Sequence, residues 1–578
     1  MFIITKKSTL LNSSALIFLL LSPLFITLFL SNLLFICKIS LSEFTMLFSF
    51  ILSYFILFFL TRKTHWYEWI LTLLFYLISY SLSIFFYDLS ADGQWYHLES
   101  IINLKNRWNP IYEISKTNVA QIYVQSYPKG YEIIAASIYS FTQKVESGKL
   151  INIIVLIASL IYVFKLLKQT QISKLKIYLY TFLICMNPIV VTELFTYYLD
   201  GFMYSCLIIL FCSFSCLLRR YNKIDLATFI FTLSIFSSLK FTSILLVFIF
   251  VLFSFIYLWK DHKFKLKYIF PFLISGIIIF PITNINPYFT NLKNNHHVFH
   301  PAFGKEKIEN LLSSHVSYDF YKKNRIEKAF ISYFSYTGDS KKTTNLKIPF
   351  SLKLSEIKVL NEVSITYGGF GPFFGGIVIL STLLFIISFF IPSKAPSGLY
   401  YLTLGVIASI LSFPDFWFAR MVPQLYLCPV LILLIMEYKS INSKYLKFGT
   451  LITLLFISTN TLMFIIISFT LNFYLSLNTH YQISQMKKLG KKSPILIDYF
   501  FKSNVTRLEE NDITYKVTEI PYSEDDKNLQ FFGAKGKNTT RFIAEFNEKD
   551  KSNLLRYLDN QYNKIFNYYQ SYKKLSEI

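Results

Sequence analysis

Two aspartates, a histidine and a glutamate fall within one short stretch of YDLSADGQWYHLESIINLKNRWNPIYE, Tyr87 to Glu113: Asp88, Asp92, His97 and Glu99. Carboxylates at the end of an apolar segment have two uses. Asp88 and Asp92 can cap that segment and the helix after it, because aspartate accepts hydrogen bonds from the free N–H groups of a first helical turn. A carboxylate within hydrogen-bond reach of a hydroxyl can instead take its proton while the oxygen attacks an electrophilic carbon. A second group lies in TELFTYYLDG, where Glu193 and Asp200 flank an aromatic turn: Asp200 before Gly201 can simply cap the next helix, and the alternative is sugar binding through Tyr197 and Tyr198. A third is FPDFWFAR, with Asp415 and Arg420. Guanidinium grips two phosphate oxygens at once, so Arg420 is the first candidate for an anionic substrate and Lys240, in the turn LKFT, the second. The structural alternative for Arg420 is an anchor at the membrane surface beside Trp417.

Three other motifs carry less. NNHHVFH, Asn294 to His300, holds three histidines without an acidic ligand at fixed spacing, so no metal site is assigned and a divalent cation stays an open alternative. GGFGPFFGG, Gly368 to Gly376, lacks the Lys-Ser/Thr of a phosphate loop and reads as a bend entering a helix. YPKGYE, Tyr127 to Glu132, is turn chemistry.

The elements that must position these groups are apolar. Of 578 residues, 53% are hydrophobic and 19% aromatic, which defines a polytopic membrane protein. A hydrocarbon core about 30 Å thick needs roughly 20 apolar residues in a helix, and Leu16 to Ile36 supplies that alone. Apolar runs predict about thirteen spans. They lie near 15–37, 43–60, 68–87, 149–167, 175–191, 200–218, 226–240, 241–258, 268–283, 373–391, 398–413, 421–437 and 448–473. Segment 130–142 is too short to cross and is expected at the interface. The net charge of +23 reports loop orientation and contact with anionic membrane lipids; no nucleic-acid motif accompanies it. With 130–142 not crossing, Lys6 and Lys7, Arg62 and Lys63, Lys165 to Lys176, Arg219 to Lys223, Lys260 to Lys267, Lys394 and Lys439 to Lys447 share one side. That side is cytoplasmic by the positive-inside rule, which puts the N-terminus inside and the C-terminus outside. Residues 88–148, 192–201, 284–372 and 413–420 then lie outside, with a small α/β domain over 476–578 following a membrane domain over 1–475. Within the first loop, a helix from Asp92 is expected to lie flat, with Trp95, Leu98 and Ile102 in lipid.

This layout resembles the GT-C superfamily of integral-membrane glycosyltransferases: acidic residues just beyond an early span, an external loop of flat helices, further acidic residues on later external loops, and an external C-terminal domain. The acidic loop follows the third span and the large loop the ninth, so two extra N-terminal spans would bring the registers into agreement. The acidic loop, 88–148, lacks an adjacent Asp-Asp or Asp-Glu pair. The resemblance implies an inverting transferase in the bacterial cytoplasmic (inner) membrane. It would move a sugar from a polyprenyl-phosphate carrier to a cell-surface glycan or lipid acceptor, with Asp88 and Asp92 catalytic. His97, Glu99, Glu193, Asp200, Asp415 and Arg420 would bind substrate. The alternatives are a polymerase or ligase of lipid-linked saccharides, a flippase or transporter for them, and a scaffold whose tail binds partners. A transporter would place ionisable residues deep in its spans, whereas here they gather at one edge.

Overall fold

A computed structural model describes residues 12–115, 120–260, 265–305, 307–308, 316–338, 346–392, 395–439, 443–521, 529–532 and 540–562. Lys6, Lys7, Lys394 and the end of the tail beyond residue 562 lie outside the described residues.

Each expected span is helical over most of its length, and among the described residues seven helices are long and apolar enough to cross a membrane. Four shorter apolar helices, Thr45–Thr61, Phe374–Ser388, Ser397–Ser412 and Pro423–Glu437, accompany them. The first helix, Ser13–Ile36, is apolar all round, and a helix without a polar face belongs in an interior. It is buried over most of its length and packs against Thr45–Thr61, Trp66–Phe85, Val145–Leu167 and Lys223–Ser237. Asn12 caps it, its Oδ1 accepting from Ser14 N and Ala15 N. The next two helices turn Phe48, Phe59 and Leu77 outward, an apolar rim of the kind a bilayer covers.

Two expectations change. The helix after Asp92 does not expose its aromatic face. A π-helical turn, Gly93–His97, leads into Leu98–Lys105, whose Leu98, Ile101, Ile102 and Leu104 are buried against the equally buried Gly130–Thr142. The two short helices bury their apolar faces on each other, so neither needs lipid. The last span also continues as one helix, Lys444–Gly490, well past residue 475. Its final turns supply Ile483 and Met486 to the core of the tail domain, so one rigid rod joins the two parts.

The tail sheet comprises β1 (Ile495–Asp498), β2 (Tyr515–Val517), β3 (Leu529–Phe531) and β4 (Arg541–Ile543), in the order β2-β1-β4-β3. β1 and β2 are parallel, which requires a crossover, and the helix Lys502–Glu509 provides it. The ILIDYF and RFIAEF segments are β1 and β4, paired antiparallel.

Candidate functional site

The span expected over 175–191 is broken, and the break builds the site. Asn187 precedes Pro188, and a residue before proline avoids the helical region, so Lys174–Cys185 ends and Pro188–Glu193 begins anew. Asn187 Oδ1 accepts from Ile189 N, while its Nδ2 donates to the Pro423 carbonyl at 2.7 Å. The chain then turns through 194–199 into Asp200–Arg219. A Cβ at Gly201 would lie 2.9 Å from Val190 Cα, so only glycine allows this approach, and it lets Gly201 N donate to Glu193 Oε2 at 2.6 Å.

Arg420 reaches this turn from the short 3-10 segment Ala419–Met421 ahead of Pro423–Glu437. Its Nη1 donates to Asp92 Oδ2 at 3.0 Å and to Ser364 Oγ at 2.8 Å. Its Nε lies 3.3 Å from Asp200 Oδ2, an ion pair without hydrogen-bond alignment. The guanidinium carbon sits 4.7 Å from the Tyr198 ring centroid. Lys240 Nζ donates to Asp200 Oδ1 at 2.5 Å, so two cations share one buried carboxylate. Burial opposes the charged form of Arg420, but Asp92, Tyr198 and Asp200 outweigh it and hold the guanidinium well above its ordinary range.

Glu193 is buried, and its Oε1 has no hydrogen-bond partner among the described residues. Burial first, then the neighbouring Asp200, pushes its carboxyl up to about 8. With Glu193 neutral, Asp92 and Asp200 face Arg420 and Lys240, and the formal charges cancel. Such balance is what a buried ion cluster requires. Asp92 is the most accessible member, its side chain 26% exposed, against 11% for Arg420 and 1% for Asp200.

Asp88 is buried beside this group and differently employed. Oδ1 accepts from Ser90 N at 2.9 Å and from Ser90 Oγ, and Oδ2 accepts from Tyr197 N at 2.8 Å. Oδ1 is therefore tied to its own loop through Ser90, and Oδ2 to the turn carrying Tyr198 through Tyr197 N. Burial raises the Asp88 carboxyl above its ordinary range. His97 Nδ1 lies 2.7 Å from Glu132 Oε1, and Glu99 lies 3.5 Å from Lys502 Nζ of the tail. Asp415 accepts from Trp417 Nε1 at 3.1 Å. The structure thus joins Asp92, Glu193, Asp200 and Arg420, sets Asp88 behind them, and gives His97, Glu99 and Asp415 other partners.

Residues that the sequence did not single out hold the floor. Glu146 accepts from Asp88 N at 3.1 Å, from Lys149 Nζ and from Arg507 Nε at 2.8 Å. Glu146 and Lys149, spaced i,i+3 at the head of an apolar run, were a visible ion-pair signal. Arg507 comes from the tail and had none. Among the described residues, no group of three or more His, Cys, Asp or Glu side chains is arranged to hold a metal ion, and NNHHVFH is no exception.

No family model matches the chain, and neither a curated protein nor a solved structure matches it.

Proposed function

We propose that the chain is a membrane glycosyltransferase of the GT-C kind, taking a sugar from a polyprenyl-phosphate carrier and passing it to a glycan or lipid hydroxyl at the outer membrane face. The observation that carries this reading is the Arg420 cluster. Arg420 is held between the accessible Asp92 and the buried Asp200, ahead of an apolar helix and against the Tyr198 ring.

In the resting arrangement Arg420 is occupied by Asp92. A donor phosphate competes for the same guanidinium, and as it binds it releases Asp92 to act as base. The acceptor oxygen then forms its bond to the anomeric carbon. The bond from that carbon to the phosphate oxygen breaks, the phosphate leaves with the electron pair, and the hydroxyl proton passes to Asp92. Arg420 and Lys240 offset the charge that develops on the departing phosphate. Asp88 positions Asp92 by anchoring the Tyr197–Tyr198 turn, whose Tyr198 hydroxyl accepts from Asp92 N at 3.3 Å. The positive-inside reading of about thirteen spans with an external tail supports an outer-face position for the cluster.

Purified protein in liposomes, given a synthetic polyprenyl-phosphate hexose and a panel of glycan and lipid acceptors, should form a glycosylated acceptor and free polyprenyl phosphate. Translocation of the carrier across the bilayer without cleavage would overturn the enzyme reading in favour of a flippase. Products extended by whole oligosaccharides would mark a polymerase or ligase.

A further inference from the structure

A cavity of about 530 Å³ lies between the helices Asp200–Arg219, Phe241–Lys260, Ser397–Ser412 and Pro423–Glu437, away from the Arg420 cluster. Its volume falls in the range of small-molecule sites, roughly 300–1,000 Å³. One wall is a single helix face from Leu207 through Phe211 and Ser215 to Arg219. At a rise of 1.5 Å per residue this wall is about 18 Å long, close to the roughly 15 Å depth of one leaflet's hydrocarbon. The walls are mostly apolar, Leu402 and Leu434 among them; the Ser215 and Ser409 hydroxyls are spent on carbonyls of their own helices, and Arg219 and Tyr438 lie where their helices end. Arg219 is exposed and, among the described residues, donates only to the neutral Gln169 Oε1, at 3.2 Å. Arg220 adjoins Arg219 and Lys168 adjoins Gln169 in the chain, and none of the three has an ion-pair partner among the described residues.

We infer that this groove is a site for one anionic phospholipid, its acyl chain along the helix face and its headgroup phosphate on Arg219. An apolar slot of one-leaflet depth ending in an unpaired guanidinium complements an acyl chain joined to an anionic phosphate. The inference stands apart from the glycosyltransferase reading, since it uses none of the residues of the Arg420 cluster.

The test is native mass spectrometry of the full-length protein released from nanodiscs of equal phosphatidylglycerol and phosphatidylcholine. One phosphatidylglycerol should be retained per chain in preference to phosphatidylcholine. Arg219→Gln should weaken that retention about tenfold or more, as expected for loss of a charge-assisted bond. Ser215→Phe should do the same by filling the slot, and Lys63→Gln, an exposed basic residue elsewhere, should leave it unchanged. Equal retention of the two lipids, or retention untouched by Arg219→Gln, would overturn the site. Because Arg219 is exposed, that variant decides the matter even where Ser215→Phe fails to fold.

Discussion

Arg507, in the tail domain, binds Glu146 at the head of a membrane-length helix through both Nε and Nη2, and it is 1% exposed. The same guanidinium donates to Gln94 Oε1, to Asn504 Oδ1 and, at 2.7 Å, to the Asp88 carbonyl. The tail is therefore part of the scaffold beneath the candidate site. Arg507→Met should leave Glu146 short of a buried partner, and breaking such a pair costs about 3–5 kcal/mol. A lowered melting midpoint in detergent, with earlier proteolytic release of the tail, is the expected outcome. Arg507→Lys should recover little, since one ammonium cannot reach Glu146, Gln94 and the Asp88 carbonyl together.

Asp88 and Asp92 should separate cleanly on substitution. Asp92→Asn keeps a polar side chain on a partly open surface and should fold normally, yet lose transfer by about 10²–10⁴-fold as a general base would. Asp88→Asn keeps one acceptor oxygen but sets its NH2 against either Ser90 or Tyr197 N, both of which donate, and should cost about 1–3 kcal/mol of stability. Melting curves beside turnover assays check both. An Asp92→Asn protein with full transfer activity would remove the base from the mechanism.

The apolar framework was legible because run length alone decides whether a helix can cross a membrane, and the helices fall where the runs are. The burial of Leu98–Lys105 was not. Its amphipathic pattern suits a lipid surface and a protein partner equally, and that partner, Gly130–Thr142, reveals itself only in three dimensions. Asp92, Glu193, Asp200 and Arg420 could each be picked out by residue type at an apolar boundary. Their convergence could not, because Asp92 and Arg420 are 328 positions apart and no local periodicity links them. The continuation of the last helix to Gly490 was hidden for a related reason: residues such as Ser476, Thr479 and Gln482 look like the polar start of a soluble domain, yet they are buried in contacts made across the fold.

Glu193 gives a pH signature. In the folded protein, burial and Asp200 hold its carboxyl at about 8, above the ordinary value of 4.5 that applies when the chain unfolds. The folded state keeps the proton to higher pH, so this contribution to stability is complete below 4.5 and is lost as pH rises toward 8. The melting midpoint should fall across that window in the wild type and fall less steeply in Glu193→Gln, which stays neutral at every pH. Parallel curves for the two proteins would show that Glu193 is ionised throughout.

The substitution Arg420→Lys addresses the phosphate role. Arg420 spans Asp92 through Nη1 and Asp200 through Nε, a bridge that needs the width of a planar guanidinium. Lysine keeps the charge but has one ammonium, so it can meet one carboxylate, or one phosphate oxygen, at a time. Were Arg420 only an anchor at the membrane surface, lysine would serve as well, and donor affinity would not change. If the donor phosphate displaces Asp92 from the guanidinium, lysine loses one of two charge-assisted bonds, about 1.5–3 kcal/mol or roughly tenfold to a hundredfold in affinity. Binding of a polyprenyl-phosphate hexose to wild-type and Arg420→Lys protein in the same detergent measures the difference. Lys240→Gln is the companion variant: it should weaken donor binding less than Arg420→Lys does, because Lys240 meets the cluster at Asp200, whereas Arg420 contacts both Asp92 and Asp200. Equal donor affinity in wild type and Arg420→Lys would move the phosphate site away from this cluster.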